Sequence, residues 1–311
     1  MGAHRFDMDE YLTLTGGDPK IRENFEPNLE LLTALVARHV FTVHYQNYDL
    51  LTQKKILDMT PGALLQRLLI SGRGGMCYET SELMFHVLTE FKFDVKRVPV
   101  VVLAGMPFDE TQPKDHNVLI VFLEGKEYLV DVGFGYNSLR GPIEFNFRYT
   151  EEKSLAAGEK YQLVCAEEYY QLNFWLKGDW ASFYRFKRPM KFINFQESME
   201  YYHNLVKFPG TTVIRDLVLF VGVVLEGGRF GFSCDYDTEK GATNFSLLTV
   251  KEGESESQKL DVETFRETIS RYLKIDINYS NQNNIIKFYK SQDMMTGRYL
   301  LSLLLSKINT E

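Results

Sequence analysis

The pattern of hydrophobic residues in this 311-residue chain changes sharply near residue 96. Before that point, apolar residues recur at intervals of three and four, which is typical of amphipathic helices. After it, short runs rich in valine and aromatic residues alternate with turn residues, which is typical of antiparallel strands. The sequence therefore predicts an α+β fold in which a helical section precedes a mostly antiparallel sheet or barrel.

Three helices are predicted in the first section. The first covers residues 28–43, with Asn28 as its N-cap and an apolar stripe that begins at Leu29. The second covers residues 58–70, and the third covers residues 76–91. Between them lies a turn with three glycines, which end the second helix and let the backbone turn tightly into the third.

The strand-like runs of the middle section are KRVPVVVLAG, HNVLIVFLEG, KEYLVDVGFG, YQLVCA and YYQLNFWL. Further along, residues 217–225 (LVLFVGVVL) form the longest apolar run. That run predicts a buried strand, because it is far shorter than the roughly 20 residues of a membrane helix. The polar stretch 251–259 predicts a solvated loop, and residues 261–273 and 296–307 predict terminal helices.

Composition narrows the functional classes. The formal net charge of -7 gives no global basic field, so no nucleic-acid partner is predicted. Aromatic residues make up 14% of the chain, a share that by itself indicates an aromatic-rich core more than a pocket for flat ligands. The charged first residues lack the apolar stretch of a signal peptide. No membrane association is therefore predicted, the expected location is cytoplasmic, and the oligomeric state is left open.

The three cysteines, Cys77, Cys165 and Cys234, are too widely spaced for a CxxC pair, so neither a disulfide framework nor a metal site is predicted. Only Cys77 follows two glycines at the start of a predicted helix. In the first turn of a helix, unpaired N–H groups and the helix dipole favour a thiolate, and the same N–H groups can hold an oxyanion. Cys77 is therefore the candidate nucleophile; a packed cysteine beside a glycine turn is the alternative.

His116 and Asp131 flank one predicted hairpin, HNVLIVFLEGKEYLVD, whose turn falls at Glu124 and Gly125 or one residue further on. With a turn of two or four residues, but not of three, both side chains point to the same face of the sheet as cross-strand or diagonal neighbours. That position allows an Asp–His hydrogen bond, although such a pair also occurs as a surface ion pair. With Cys77 they form a candidate triad, in which the imidazole takes the thiol proton and the carboxylate orients the ring.

The motifs around these residues resemble the arylamine N-acetyltransferase family. RGGMCYE (73–79) resembles the family's RGG-aromatic-Cys-x-Glu segment, and VDVGFG (130–135) resembles its VD-x-GFG segment. DHNVLIVF resembles the family's strand that opens with a histidine, and HYQNYDLL (44–51) resembles its PFENLD segment. The spacings between the three candidate residues also fit the family. The likeness is dense over residues 28–135 and thin afterwards.

The resemblance implies a three-domain cysteine-transferase fold with a papain-like or transglutaminase-like catalytic core. A helical bundle at 1–95 would carry the nucleophile, a β-barrel at 96–205 would carry the His and the Asp, and residues 206–311 would form an α/β lid. It also implies a ping-pong reaction without a metal. Acetyl-CoA acetylates the cysteine, coenzyme A leaves, and an aromatic amine or hydrazine takes the acetyl group.

The resemblance also assigns positions around the candidate triad. Phe134 and Tyr45 are expected to face the aromatic acceptor, and Val102 is expected to line its pocket. Gly133 and Thr211 are expected to lie beside coenzyme A.

A few positions depart from the family's motifs. Ser81, His44 and Gln46 stand where the family has Asn, Pro and Glu, and these differences bear on amine preference.

Arg73 is expected to pair with a buried Glu79 and so brace the start of the third helix.

The residues of the triad, taken without the resemblance, leave other functions open. The same chemistry serves a cysteine hydrolase or an amide synthase, and only an apolar pocket that excludes water separates transfer from hydrolysis. A non-catalytic binding module is the alternative from another class, although such a module has no need of all three residues.

Overall fold

The structure, a computed structural model, describes residues 5–53, 56–103, 107–109, 111–145, 150–176, 178–207, 218–237 and 242–273. Its helices are α1 (Met8–Leu14), α2 (Leu29–Thr42), α3 (Tyr48–Gln53), α4 (Pro61–Leu65), α5 (Cys77–Glu90), α6 (Phe195–Lys207) and α7 (Val262–Leu273). Its strands are β1 (Tyr45–Gln46), β2 (Asp94–Val102), β3 (His116–Leu123), β4 (Lys126–Val130), β5 (Ile143–Glu144), β6 (Glu151–Ala156), β7 (Glu159–Cys165), β8 (Tyr169–Leu176), β9 (Asp179–Lys187), β10 (Val218–Leu225), β11 (Gly228–Asp237), β12 (Ala242–Lys251) and β13 (Glu254–Leu260).

Two antiparallel sheets are formed by the described strands. One has eight strands in the order β5-β4-β3-β2-β9-β8-β7-β6 and curls into a nearly closed barrel. The other has five strands in the order β1-β10-β11-β12-β13. Strand β1 comes from the helical section and pairs with β10, so the smaller sheet is joined to the first helices. The predicted α+β fold with a mostly antiparallel sheet or barrel is confirmed.

The predicted helices of the first section are present, with shorter bounds. Asn28 caps α2, because its side-chain oxygen accepts a hydrogen bond from the Leu31 N–H at 2.8 Å. Leu29, the first residue of the apolar stripe, is 42% exposed, since it occupies the first turn, at the edge of the core. The second predicted helix is α4 followed by a π-helical turn at Gln66–Ile70.

Helix α5 lies between the helical section and the barrel. Each of its first eight residues is buried. Leu83 and Val87 share one hydrophobic core with Leu119 and Val121 of β3. Because close-packed interiors leave little freedom to shift, the first residue of α5 is fixed relative to the barrel.

The smaller sheet is fixed to the barrel by a buried arginine on β11. Arg229 is fully buried, and its guanidinium donates to the Glu159 carboxylate of β7 at 2.5 and 2.6 Å. It also donates to the backbone carbonyls of Tyr136 and Ser138 at 2.7 Å each. Arg140 donates to the same carboxylate at 2.9 Å. The loop that follows β4 is thereby tied to both sheets, and removal of one partner would leave a buried charge uncompensated.

The end of the chain shows one correction. The polar stretch 251–259 was predicted as a solvated loop, but it forms the last residue of β12, the turn, and all but the last residue of β13. Its turn is Glu252 and Gly253, both with positive φ, and a polar, charged edge strand resists pairing with other chains. The run at 217–225 forms β10, and the helix predicted at 261–273 is α7.

The last predicted helix, 296–307, lies outside the described residues. None of the helices in the described ranges is both long enough and apolar enough to cross a membrane.

One buried histidine in the helical section makes the stability of the fold depend on pH. His39 is fully buried, its Nδ1 lies 3.0 Å from the Tyr11 hydroxyl, and burial lowers its pKa to about 3. The unfolded chain binds a proton at this residue below about pH 6.5, whereas the folded chain does not, so stability is lost as the pH falls. Between about pH 7.5 and about pH 5, this residue should remove about 2 kcal/mol from the free energy of unfolding.

Urea unfolding of the wild type and of His39→Gln at both pH values checks this expectation. The variant should lose most of that pH-dependent difference, while His203→Gln, which alters a half-exposed histidine, should keep it. Equal pH dependence in the wild type and His39→Gln would contradict the expectation.

Candidate functional site

The first turn of α5 presents Cys77. Gly74 has a φ of +65°, and a Cβ at this position would lie 2.0 Å from the His44 carbonyl oxygen, so only glycine permits the turn. The Glu79 carboxylate then accepts a hydrogen bond from the Met76 N–H at 2.7 Å and satisfies one donor of the helix start. Cys77 is buried, and its Sγ lies 3.7 Å from the backbone oxygen of Asp115.

The cation that braces the helix start differs from the predicted one. Arg73 was expected to pair with Glu79, and this is wrong: it donates to Asp49 at 2.5 Å. Arg67, from the π-helical turn, donates to Glu79 at 2.8 Å. The turn at residues 72–75 carries Arg73 away from the helix, which leaves Arg67 facing the carboxylate.

The hairpin of β3 and β4 brings His116 and Asp131 together. Leu123 pairs with Lys126, so the turn has the two predicted residues, and both of them have positive φ. His116 opens β3, and Asp131 follows the last residue of β4. The His116 Nε2 lies 3.0 Å from each carboxylate oxygen of Asp131. The hydrogen bond predicted from strand alternation is present, and both side chains are buried.

The charge state of His116 is set by its two neighbours. Burial alone lowers the pKa of His116, but the charge and hydrogen bond of Asp131, followed by those of Cys77, raise it to about 10. Because Nε2 is bound to Asp131, Nδ1 is the ring nitrogen left for the thiol. The arrangement therefore favours a protonated imidazole beside the thiol of Cys77.

The other two cysteines lie in different surroundings. Burial is the first cause that raises the pKa of Cys165, and burial raises the pKa of Cys234 to about 12. Neither thiol is favoured as a thiolate near neutral pH.

Gly133 sets the distance between the hairpin and the helix. A Cβ at this position would lie 2.7 Å from Cys77 Cα and 2.9 Å from the Thr80 hydroxyl oxygen. The Gly133 N–H donates to Asp131 at 3.1 Å. These contacts give Gly133 a packing role; its expected contact with coenzyme A stays a prediction. Thr211, the other residue assigned to coenzyme A, lies outside the described residues.

Aromatic rings surround the imidazole. The Phe134 ring is half-buried, with its centroid 5.1 Å from that of His116 and 5.0 Å from that of Phe183. Tyr184, which the sequence analysis missed, is buried with its ring 5.5 Å from His116. Its pKa is raised well above the usual range, first by burial and then by the charge of Asp131. Tyr184 comes from β9, and no local motif marks it in the sequence.

The remaining predicted positions are Tyr45 and Val102, and each interacts with Asp115. Tyr45 is buried, and its pKa is raised well above the usual range by burial and by the charges of Cys77 and Asp115. Val102 is half-buried at the end of β2, and its N–H donates to the Asp115 carboxylate at 2.9 Å. The structure thus places Phe134, Tyr45 and Val102 around the triad, and their contact with an acceptor stays a prediction.

Asp115 is a second carboxylate at the site that the sequence analysis missed. It is half-buried. Burial raises its pKa to about 6, against the hydrogen bond from Val102 and the charges of His116 and Lys114, which lower it. Its position directly before the candidate histidine was the available signal. Within the described ranges, no group of three or more His, Cys, Asp or Glu side chains is arranged to hold a metal ion.

Comparison with known proteins assigns the chain to a family. Residues 28–282 match the sequence profile of the N-acetyltransferase family. The arylamine N-acetyltransferase of Mycolicibacterium smegmatis is 32% identical over 228 residues, which cover 72% of this chain and 78% of the relative. The chain belongs to the arylamine N-acetyltransferase family. As a member of this family, it is an acyltransferase.

Further family members show the same likeness. The Escherichia coli arylamine N-acetyltransferase is 31% identical over 160 residues, which cover 51% of this chain and 55% of the relative. Among solved structures, that of the M. smegmatis arylamine N-acetyltransferase has a TM-score of 0.75 at 26% identity, covering 92% of this chain and all of the other. That of the Mycobacterium marinum arylamine N-acetyltransferase in complex with CoA has a TM-score of 0.75 at 23% identity, covering 91% and 99%. The α+β fold with its barrel is shared with these structures.

The contact between Asp131 and His116 predicts a shift in thiol reactivity. Asp131→Asn keeps the size of the side chain and removes the charge that raises the pKa of His116. The imidazolium is then less stable, so the Cys77 thiolate should form only at higher pH. Iodoacetamide alkylation rates measured against pH, with circular dichroism to confirm folding, should show the profile of the variant displaced upward.

Asp94→Asn is the matched control, since Asp94 is an exposed carboxylate of the same barrel, paired with Lys96. Its alkylation profile should equal that of the wild type. If folded Asp131→Asn also alkylates with the wild-type profile, Asp131 has only a structural role at the end of β4.

Proposed function

We propose that this chain transfers an acetyl group from acetyl-CoA to aromatic amines and hydrazines through an acetyl-cysteine intermediate on Cys77. The observation that carries the proposal is the His116 imidazole, which lies 3.0 Å from both oxygens of Asp131 and whose pKa is raised by Asp131 and then by Cys77. A thiolate at a helix start is an activated nucleophile when a buried imidazolium lies beside it.

In the first half-reaction, the Cys77 thiolate attacks the thioester carbon of acetyl-CoA. The new carbon–sulfur bond forms on Cys77 as the bond to coenzyme A breaks, and the departing thiolate takes the proton of His116. Asp131 keeps the ring in place while its charge changes. The first backbone N–H groups of an α-helix have no partner within it, so those of Cys77 and Tyr78 at the start of α5 are the candidate donors to the oxyanion.

In the second half-reaction, the amine attacks the acetyl-cysteine. His116, now neutral, accepts the proton that the amine loses. The carbon–nitrogen bond forms, the carbon–sulfur bond breaks, and the thiolate–imidazolium pair is restored. The same imidazole serves as acid and then as base, which requires one ring nitrogen to remain bound to Asp131 throughout.

Family membership supports the choice of donor and acceptor. The M. marinum structure of the same fold holds CoA, and curated relatives are arylamine N-acetyltransferases. Phe134 lies against His116 and Tyr45 lies near Cys77, and an acceptor pocket formed by these rings and Val102 would suit a flat apolar amine and exclude water. Gly133 and Thr211 remain the residues proposed to lie beside coenzyme A.

The finer architecture belongs to the same proposal. We assign a helical bundle to residues 1–95, a barrel to 96–205 and an α/β lid to 206–311, around a papain-like core. Helix α6 spans the second boundary, since it covers Phe195–Lys207. Action on foreign amines and a cytoplasmic location stay predictions, as does activity without a metal.

Intact-mass measurement after mixing with acetyl-CoA alone tests the mechanism. The protein should gain the mass of one acetyl group, and peptide digestion should place it on Cys77. Cys165→Ser and Cys234→Ser should be acetylated like the wild type, whereas Cys77→Ser should not. Acetyl groups on other cysteines, or none, would overturn the proposal. Rapid loss of the acetyl group in water without an amine would favour a hydrolase.

The aromatic pocket is tested with paired acceptors. Ring stacking is worth about 0.5–1.5 kcal/mol beyond buried area, so Phe134→Ala should raise the KM for an aryl amine about two- to tenfold. The KM for acetyl-CoA should change less, and so should the KM for an alkyl amine of similar size. If all three constants rise together, Phe134 acts by holding His116 and not by contacting the acceptor.

A further inference from the structure

The mechanism above leaves one carboxylate beside the nucleophile unused. Asp115 lies next to His116 in the chain, and its backbone oxygen is 3.7 Å from Cys77 Sγ. One side-chain oxygen accepts the Val102 N–H at 2.9 Å. The carboxylate also acts electrostatically on the phenols of Tyr45 and Tyr78, as does Cys77. Asp115 and Cys77 therefore face the same small region.

A cavity of about 250 Å³ has Asp115 among its lining residues. Residues 112–115 form one wall, and Tyr201, Asn204 and Leu205 of α6 form the other. The Tyr78 hydroxyl donates to the Lys114 carbonyl at 2.8 Å and fixes the wall to α5. The cavity has the size of a small aromatic molecule, and it adjoins the nucleophile through Asp115.

We propose that Asp115 sets the charge preference of the acceptor, so that this enzyme favours aromatic amines carrying a cationic group and discriminates against those carrying a carboxylate. The inference rests on the proposed function and names the substrate class of the same site.

The charge of the site during the catalytic cycle explains why a cationic acceptor is favoured. After acetylation, His116 has given up its proton and Cys77 is neutral, so Lys114 is then the cation that acts on Asp115, against the two negative charges of Asp115 and Asp131. The state that meets the acceptor thus carries a net negative charge.

The ratio of kcat/KM for two acceptors tests the preference. In a ping-pong reaction, kcat/KM for the acceptor reports only its reaction with the acetyl-enzyme, so changes in acetylation cancel. The probes are para-aminobenzyltrimethylammonium and its neutral isostere para-neopentylaniline, with para-aminobenzoate as the anion. Asp115→Asn retains an oxygen for the Val102 N–H and removes the charge.

Asp115→Asn should lower the cation-to-neutral ratio about tenfold, equivalent to about 1.4 kcal/mol, and should raise the relative rate with the anion. Asp109→Asn removes an exposed carboxylate from the same segment and should leave both ratios unchanged. Unchanged ratios in folded, acetylated Asp115→Asn would overturn the inference while the proposed function stood. Failure of the wild type to become acetylated would overturn both, and it is seen before any acceptor is added.

A second measurement decides the matter if Asp115→Asn does not fold. The titratable and charged groups around Asp115 are His116, Lys114, Cys77, Tyr45, Tyr78 and Tyr201. In the free enzyme His116 stays protonated below its pKa of about 10, whereas the pKa of Asp115 is about 6. Calorimetric affinity for the cationic probe, relative to the neutral one, should therefore fall several-fold between about pH 7.5 and about pH 5.5. A constant ratio over this range would overturn the inference.

Discussion

The backbone contact between Gly133 and Cys77 is the constraint on which the site depends. With only 2.7 Å between the position of a Cβ on Gly133 and Cys77 Cα, no other residue lets the end of the hairpin reach the first turn of α5. Once the backbones meet, the Gly133 N–H aims the Asp131 carboxylate, and that carboxylate aims His116 at the thiol. Backbone packing thus sets the distances between the reacting groups, which is more exact than placement by long side chains.

Local geometry explains why much of the site could be predicted from the sequence. A two-residue turn at Glu124 and Gly125 leaves strand alternation to decide which face the ends of the hairpin share, so the contact between His116 and Asp131 follows from counting. The start of α5 is equally local, since glycines precede it and Glu79 follows Met76 by three residues. The change from helical to strand periodicity near residue 96 likewise gave the order of the layers.

Contacts set by distant parts of the chain could not be predicted in this way. Arg67 and Arg73 both lie near the start of α5, and only the path of the π-helical turn decides which of them meets Glu79. Tyr184 reaches His116 through the pairing of β9 with β2, which joins the two halves of the eight-stranded sheet and leaves no local pattern in the sequence. Asp115 was adjacent to a predicted residue, but its significance depends on α6, which supplies the opposite wall of the cavity.

Two carboxylates beside one thiol would oppose its ionisation if they had the same surroundings, because like charges in a low dielectric raise the pKa of the thiol. The structure gives them different surroundings. Asp131 is buried and shared between the His116 imidazole and the Gly133 N–H, so its charge is matched by the imidazolium. Asp115 is half-buried, accepts a hydrogen bond from the Val102 N–H, and is among the residues that line a cavity. The charge of Asp131 therefore supports the nucleophile, and the charge of Asp115 remains available to a ligand. The two side chains are chemically identical, so their surroundings alone give them different roles.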